Sequence, residues 1–212
     1  MMEGLVDKVK GFLLNPSESF RKSRGDSVGM AFRYYVVLLI VYTILSAIVA
    51  AGIGMFAFND MIIQLGQTGV VGDALAGALA NMGFFVTAMI IFSVYLFFIV
   101  ALFGIFIKGL GLHVFVLLFG GIKGLEQTLK TAMYATTPFF LLGWIPYVSI
   151  IGAIWYVILL ILGISETQEM ELGKSLLVVL VPILLILLLV VLGGIVVAAL
   201  IQGVLEMIPF IG

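Results

Sequence analysis

The chain has 212 residues, of which 64% are hydrophobic and 10% charged, with no cysteine, one histidine and a formal net charge of −1. Soluble domains carry roughly a quarter of their residues as charges, so this composition and a mean hydropathy of +1.35 exclude a soluble globular class. The missing cysteine excludes disulfides, thiol catalysis and Cys-based metal sites, and the length leaves room for about five crossings of ~20 residues and no sizeable soluble domain.

In chain order, residues 1–33 form a polar, amphipathic segment. Leu5, Val6, Val9, Phe12 and Leu13 recur at helical spacing, with Asp7, Lys8 and Lys10 on the opposite side. The pattern predicts a short helix lying on the inner leaflet, its apolar stripe in lipid and its lysines beside anionic headgroups. Asn15-Pro16-Ser17-Glu18 reads as a new helix start, with Asn15 as N-cap and Pro16 at the first helical position.

Residues 34–212 are expected to form a five-span transmembrane domain, with spans at about 34–58, 84–107, 131–145, 148–164 and 176–205. The first two are separated by a Gly- and Ala-rich loop, Asn59 to Met82, whose only charges are Asp60 and Asp73. Gly109 to Thr131 reads as a cytoplasmic loop, with Lys108, Lys123 and Lys130 beside anionic headgroups and the apolar run Val114 to Phe119 in the interface. Gly143-Trp144-Ile145-Pro146-Tyr147 divides the next apolar run into a tight hairpin whose arms are short, so that its first arm is either a thin crossing or partly re-entrant around Pro138. A kink is expected where Pro182 enters the last span. With the N-terminus in the cytoplasm and the C-terminus outside the cell membrane, all ten Lys and Arg residues fall on the cytoplasmic side.

The order of "NPSESF", then "H…LFGG…TLKTAMYATTPFFLLGWIP", then "IWYVILLILGISETQEMELGKSLLVVLVP" resembles the Yip (Ypt/Rab-interacting protein) membrane family in its prokaryotic branch. The residues that carry the resemblance are Pro16, Phe20, Gly120, Gly121, Tyr134, Pro138, Pro146, Trp155 and the stretch Gly163 to Lys174, and it extends over nearly the whole chain. It implies five spans and a cytoplasmic N-terminus. Family members with longer cytoplasmic domains are linked to vesicle trafficking and Rab-GTPase recruitment. This chain has only the segment 1–33 there.

The residues also bear on chemistry. His113 is the single histidine and has no metal- or triad-forming partner at any recognisable spacing, so it reads as a headgroup or backbone contact. Glu166, Glu169 and Glu171 read as a solvated acidic loop, with a divalent-ion site as the other reading. At Thr136-Thr137-Pro138, the proline is expected to bend its helix while the two hydroxyls cap the loosened carbonyls. The expectation is a non-enzymatic membrane scaffold or adaptor with no cofactor and no nucleic acid partner; the alternative is a small transporter or channel subunit. Its partners would be the bilayer and other membrane proteins, and the small residues Ala47, Ala50, Ala51, Gly54, Gly193 and Gly194 permit close helix contact within the bundle or between copies.

Overall fold

A computed structural model describes residues 2–67, 72, 75, 77 and 82–207. The expected Asp73 loop position and the C-terminal residues 208–212 lie outside the described residues. All described elements are helical: α1 (Met2–Leu14), α2 (Pro16–Ser23), α3 (Val28–Gln67), α4 (Gly83–Leu118), α5 (Leu125–Ala135), α6 (Thr137–Leu142), α7 (Ser149–Gln168) and α8 (Leu172–Met207). Four of them, α3, α4, α7 and α8, are long and apolar enough to cross a membrane. The third expected span, 131–145, is divided between the short helices α5 and α6.

The break between α1 and α2 falls at Asn15, with Pro16 in the first turn of α2. Asn15 holds the N-cap position without making a side-chain cap. Its carbonyl instead accepts from Ser19 Oγ at 2.9 Å, and Glu18 pairs with Lys22 one turn on. Helices α3 and α4 run well past the expected spans, because an apolar window marks where the membrane ends and a helix can continue beyond it. Asn59 to Gln67 is helix and not loop, and the expected loop from Gly109 is largely the end of α4 followed by α5. Val116, expected at the membrane surface, is fully buried.

The break between α5 and α6 follows the chemistry expected at Pro138. Proline lacks the N–H that would bond Tyr134 O four residues back. Thr137 Oγ1 donates to that carbonyl at 2.6 Å, and Thr136 Oγ1 donates to Met133 O at 2.7 Å. Helix α8 continues on both sides of Pro182.

The depth of the hairpin formed by α5, α6 and α7 is set by its contacts. At its turn, Tyr42 of α3 lies 5.6 Å from the ring of Phe139 and 5.3 Å from that of Phe140, and a Cβ on Gly143 would stand 3.2 Å from the Tyr42 ring. Tyr42 also meets Phe97 of α4. Past this level α3 and α4 continue as a pair, with Gly83 facing Phe58. From Tyr42 to Phe58 is roughly 24 Å at 1.5 Å per residue. Helix α8 packs on α7 and α4, and from Ile183 to Gly203 every residue is exposed. The hairpin therefore ends well short of the three long helices.

Candidate functional site

The core gathers where α1 and α2 meet the hairpin. Phe12, Phe20, Tyr34 and Tyr134 form an aromatic cluster, with Phe12 stacked on Tyr134 at 4.7 Å, Phe20 edge-on to Phe12 at 4.9 Å and Tyr34 edge-on to Tyr134 at 5.2 Å. Phe12, Phe20 and Tyr134 are almost completely buried. Each such ring pair adds about 0.5–1.5 kcal/mol beyond its buried area. The apolar stripe of α1 thus packs on protein: Phe12 enters the core, and Leu5 and Val9 rest against it. This corrects the expectation of a stripe in lipid, for the partner surface, built from distant residues, has no signature in the local sequence.

Gly163 makes the approach possible. A Cβ at this position would stand 2.8 Å from the Phe20 ring and 2.6 Å from Thr131 Cγ2. Only glycine lets Phe20 lie against α7 here.

A ring of polar groups closes over these aromatics. Tyr134 donates its hydroxyl proton to Asp26 Oδ2 at 2.5 Å, and Lys8 Nζ donates to the same oxygen at 2.6 Å and to the Tyr134 oxygen at 3.0 Å. Lys130, 1% exposed, donates to the carbonyls of Arg24 and Asp26 at 2.8 and 2.7 Å. These carbonyls follow the end of α2, where backbone acceptors lack helical partners, so the Lys130 ammonium serves as a C-terminal cap placed from another helix. Arg24 pairs with Glu169 at 2.9 Å and donates to the Glu166 carbonyl, while Lys123 pairs with Glu169.

These contacts correct three expectations. Lys8, Lys123 and Lys130 are occupied within the protein and not by headgroups. Glu166 and Glu169 are ion-paired to the N-terminal segment and not a solvated loop, and among the described residues no group of three or more His, Asp or Glu could hold a metal ion. His113 meets a side chain, with Nδ1 2.9 Å from Thr128 Oγ1. Gln168 Nε2 donates to that same oxygen at 3.0 Å, so the Thr128 hydroxyl links His113 to Gln168.

The remaining expected residues divide into two groups. Gly120, in the left-handed region at φ 92°, and Gly121 turn the chain after α4; a Cβ on Gly121 would stand 3.1 Å from Val116 O and 3.0 Å from Met170 Sδ. They belong to the same end of the molecule as His113 and Gln168. Pro146 lies at the hairpin turn, and Trp155 is partly exposed on the outer face of α7; neither approaches the polar ring. Sequence reasoning missed Lys8, Asp26, Arg24, Lys130 and Gln168 as site residues. The one available signal was spacing, for Lys130 and Tyr134 lie four apart and share a face of α5.

Comparison with known families matches residues 10–195 to the Yip1 domain. The chain belongs to the Yip1 domain family. It is a multi-pass membrane protein, and no curated protein and no solved structure matches it. In this Yip1 domain the matched region starts inside α1 and so includes Phe12, Phe20 and all of the polar ring except Lys8.

Two predictions arise from this geometry. Burial works against ionisation of Asp26, but hydrogen bonds from Lys8 and Tyr134, with the charges of Lys8 and Lys130, outweigh it and hold the carboxyl below the ordinary range. Its contribution is complete above the unfolded value near 3.9 and is lost as pH falls through the lower folded value. The thermal midpoint in detergent should accordingly fall on acidification from pH 5 towards 3, and fall less in Asp26→Asn; parallel profiles would remove Asp26 from the account. Second, Tyr34 donates to Thr137 Oγ1 at 2.9 Å, so Thr137→Val strands a buried hydroxyl at a cost of about 1–3 kcal/mol. Tyr34→Phe with Thr137→Val should cost less than the sum of the two, and additivity in a double-mutant cycle would deny the bond.

Proposed function

We propose that this Yip1 domain is a non-enzymatic membrane scaffold that acts as a wedge in one leaflet. The observation that carries this reading is the shortness of the hairpin against α3, α4 and α8. Arg33, Lys108 and Lys174 are exposed and mark the start of the apolar stretch on each long helix. From Arg33 to Asp60 is about 40 Å along α3, and from Lys174 to Gln202 about 42 Å along α8, enough to cross ~30 Å of hydrocarbon with tilt. From Arg33 to Tyr42 is only about 13 Å. Three helices then cross the bilayer, while the hairpin enters and returns on one side with its turn near mid-depth.

The turn suits such a place. The amides of Gly143, Ile145, Val148 and Ser149 all reach nearby carbonyls, and Trp144 Nε1 donates to Leu141 O at 2.8 Å, so little backbone polarity is left for lipid to satisfy. The excess of basic residues at the polar-ring end supports a cytoplasmic side for that end and an outer side for the far end of α8. The inner leaflet would then hold two more helices than the outer, about 160 Å² of extra section for helices ~10 Å across. A protein wider in its inner half favours a membrane curved towards the cytoplasm.

The test is reconstitution into vesicles spanning a range of radii. The expected result is a higher protein density per lipid on the smallest vesicles, with the polar-ring end on the convex surface. Equal density at all radii, or enrichment with that end inside, would remove the wedge.

A further inference from the structure

Among the described residues no acidic group pairs with Lys108, which lies between apolar surfaces. Its ammonium donates to Tyr156 OH at 3.2 Å and lies 4.8 Å from the centre of that ring. On each side of this pair runs an apolar groove. One, of about 470 Å³, lies between α4, α7 and α8 and is lined by Leu112, Phe115, Leu160, Pro182 and Ile186. The other, of about 410 Å³, lies between α3, α4, α6 and α7 and is lined by Phe97, Ala101, Gly104, Phe139 and Phe140. Both grooves share Lys108 and Tyr156 at their walls. The first extends past Pro182 to Leu189, where α8 has parted from its neighbours, and so opens sideways to the bilayer.

The geometry points to a binding site for one anionic glycerophospholipid, its phosphodiester on Lys108 and Tyr156 and one acyl chain in each groove. Charge complementarity decides the occupant. An ammonium has three donors, of which one is given to Tyr156, and the Tyr156 hydroxyl, accepting from Lys108, keeps its own proton to donate. Together they offer converging donors to a phosphate oxygen at the level of Arg33 and Lys174, where headgroups lie in the orientation argued above. A zwitterionic lipid brings its own cation beside the phosphate and gains less from an unpaired ammonium. A soluble anion would use the donors and leave both grooves unfilled, whereas a diacyl lipid matches two grooves flanking one charge. No other polar side chain competes for it in the first groove. In the second, Thr136 and Tyr35 already donate to Met133 O and Ala101 O.

The experiment is native mass spectrometry of the full chain in detergent, titrated with phosphatidylglycerol, phosphatidylcholine or inorganic phosphate. The expected result is one phosphatidylglycerol retained per chain, weaker retention of phosphatidylcholine and no displacement by phosphate. Lys108→Gln should reduce retention about tenfold, the loss of one charge-assisted hydrogen bond. Ile186→Trp, which fills the first groove from an exposed position, should reduce it comparably, and Lys174→Gln at the same level should leave it unchanged. All three positions are exposed, so the thermal midpoint should stay constant and separate lost binding from lost fold. Equal retention of the two lipids, displacement by phosphate, an unaffected Lys108→Gln or Ile186→Trp, or an equal loss in Lys174→Gln would each overturn the site.

Discussion

Tyr134→Ala should destabilise the protein by about 3–5 kcal/mol, the range for removing a fully buried aromatic ring. Tyr134 is the largest side chain with no exposure at all, and it holds both halves of the junction. Its ring supports Phe12 and Tyr34, and its hydroxyl reaches Asp26 and Lys8. The alanine variant loses the ring contacts and leaves Asp26 with one donor fewer. Thermal unfolding in detergent should show the loss, and limited proteolysis should show α1 and α2 cut before the rest of the chain. Tyr134→Phe separates the two contributions, since it keeps the stack and removes only the hydroxyl. It should cost about 1.5–3 kcal/mol as a hydrogen bond to a charged group. If Tyr134→Ala leaves α1 as protected as in the parent chain, the ring does not anchor the N-terminal helices.

Gly163→Val should be nearly as damaging, at about 3 kcal/mol, the upper end for overpacking. The added carbon meets the Phe20 ring and Thr131 Cγ2, and all three belong to helices fixed by other contacts. Phe20→Ala should relieve the clash, so the double variant should be more stable than the sum of the single losses implies. Strict additivity would show that Phe20 and Gly163 do not share the same space. Gly173, with nothing near its would-be Cβ, is the control: Gly173→Ala should be nearly silent.

These two positions show what sequence could and could not reveal. Composition alone fixes the membrane class, and the local chemistry of Asn15-Pro16 and Thr136-Thr137-Pro138 is legible because caps and proline breaks are decided within a few residues. The ends of α3 and α4 are not legible, since hydropathy reports the lipid boundary and these helices continue beyond it. The polar ring is not legible either. Its bonds join residues such as Lys8 and Tyr134, or Lys130 and Asp26, that are separated by more than a hundred positions, and a lysine's neighbours in sequence do not reveal whether it will meet a carbonyl or a headgroup. Tyr134 and Phe20 could be singled out only through family resemblance, while Gly163 stood at the start of a resembling stretch with no role attached. The hairpin is an intermediate case. Its short arms hinted at incomplete crossing, and the contacts of Tyr42 with Phe139 and Phe140 supply the depth.

That depth is the central claim, and a spin label at position 147 measures it most directly. Tyr147 is 89% exposed at the hairpin turn, so Tyr147→Cys should accept the label without disturbing the fold. In bilayers, collision rates with oxygen and with a water-soluble nickel complex should place the label near mid-depth, and an impermeant thiol reagent should fail to reach Cys at this position from either side. A label in the headgroup region opposite the polar ring, with ready reaction from that side, would mean that the hairpin crosses completely and that the wedge does not exist.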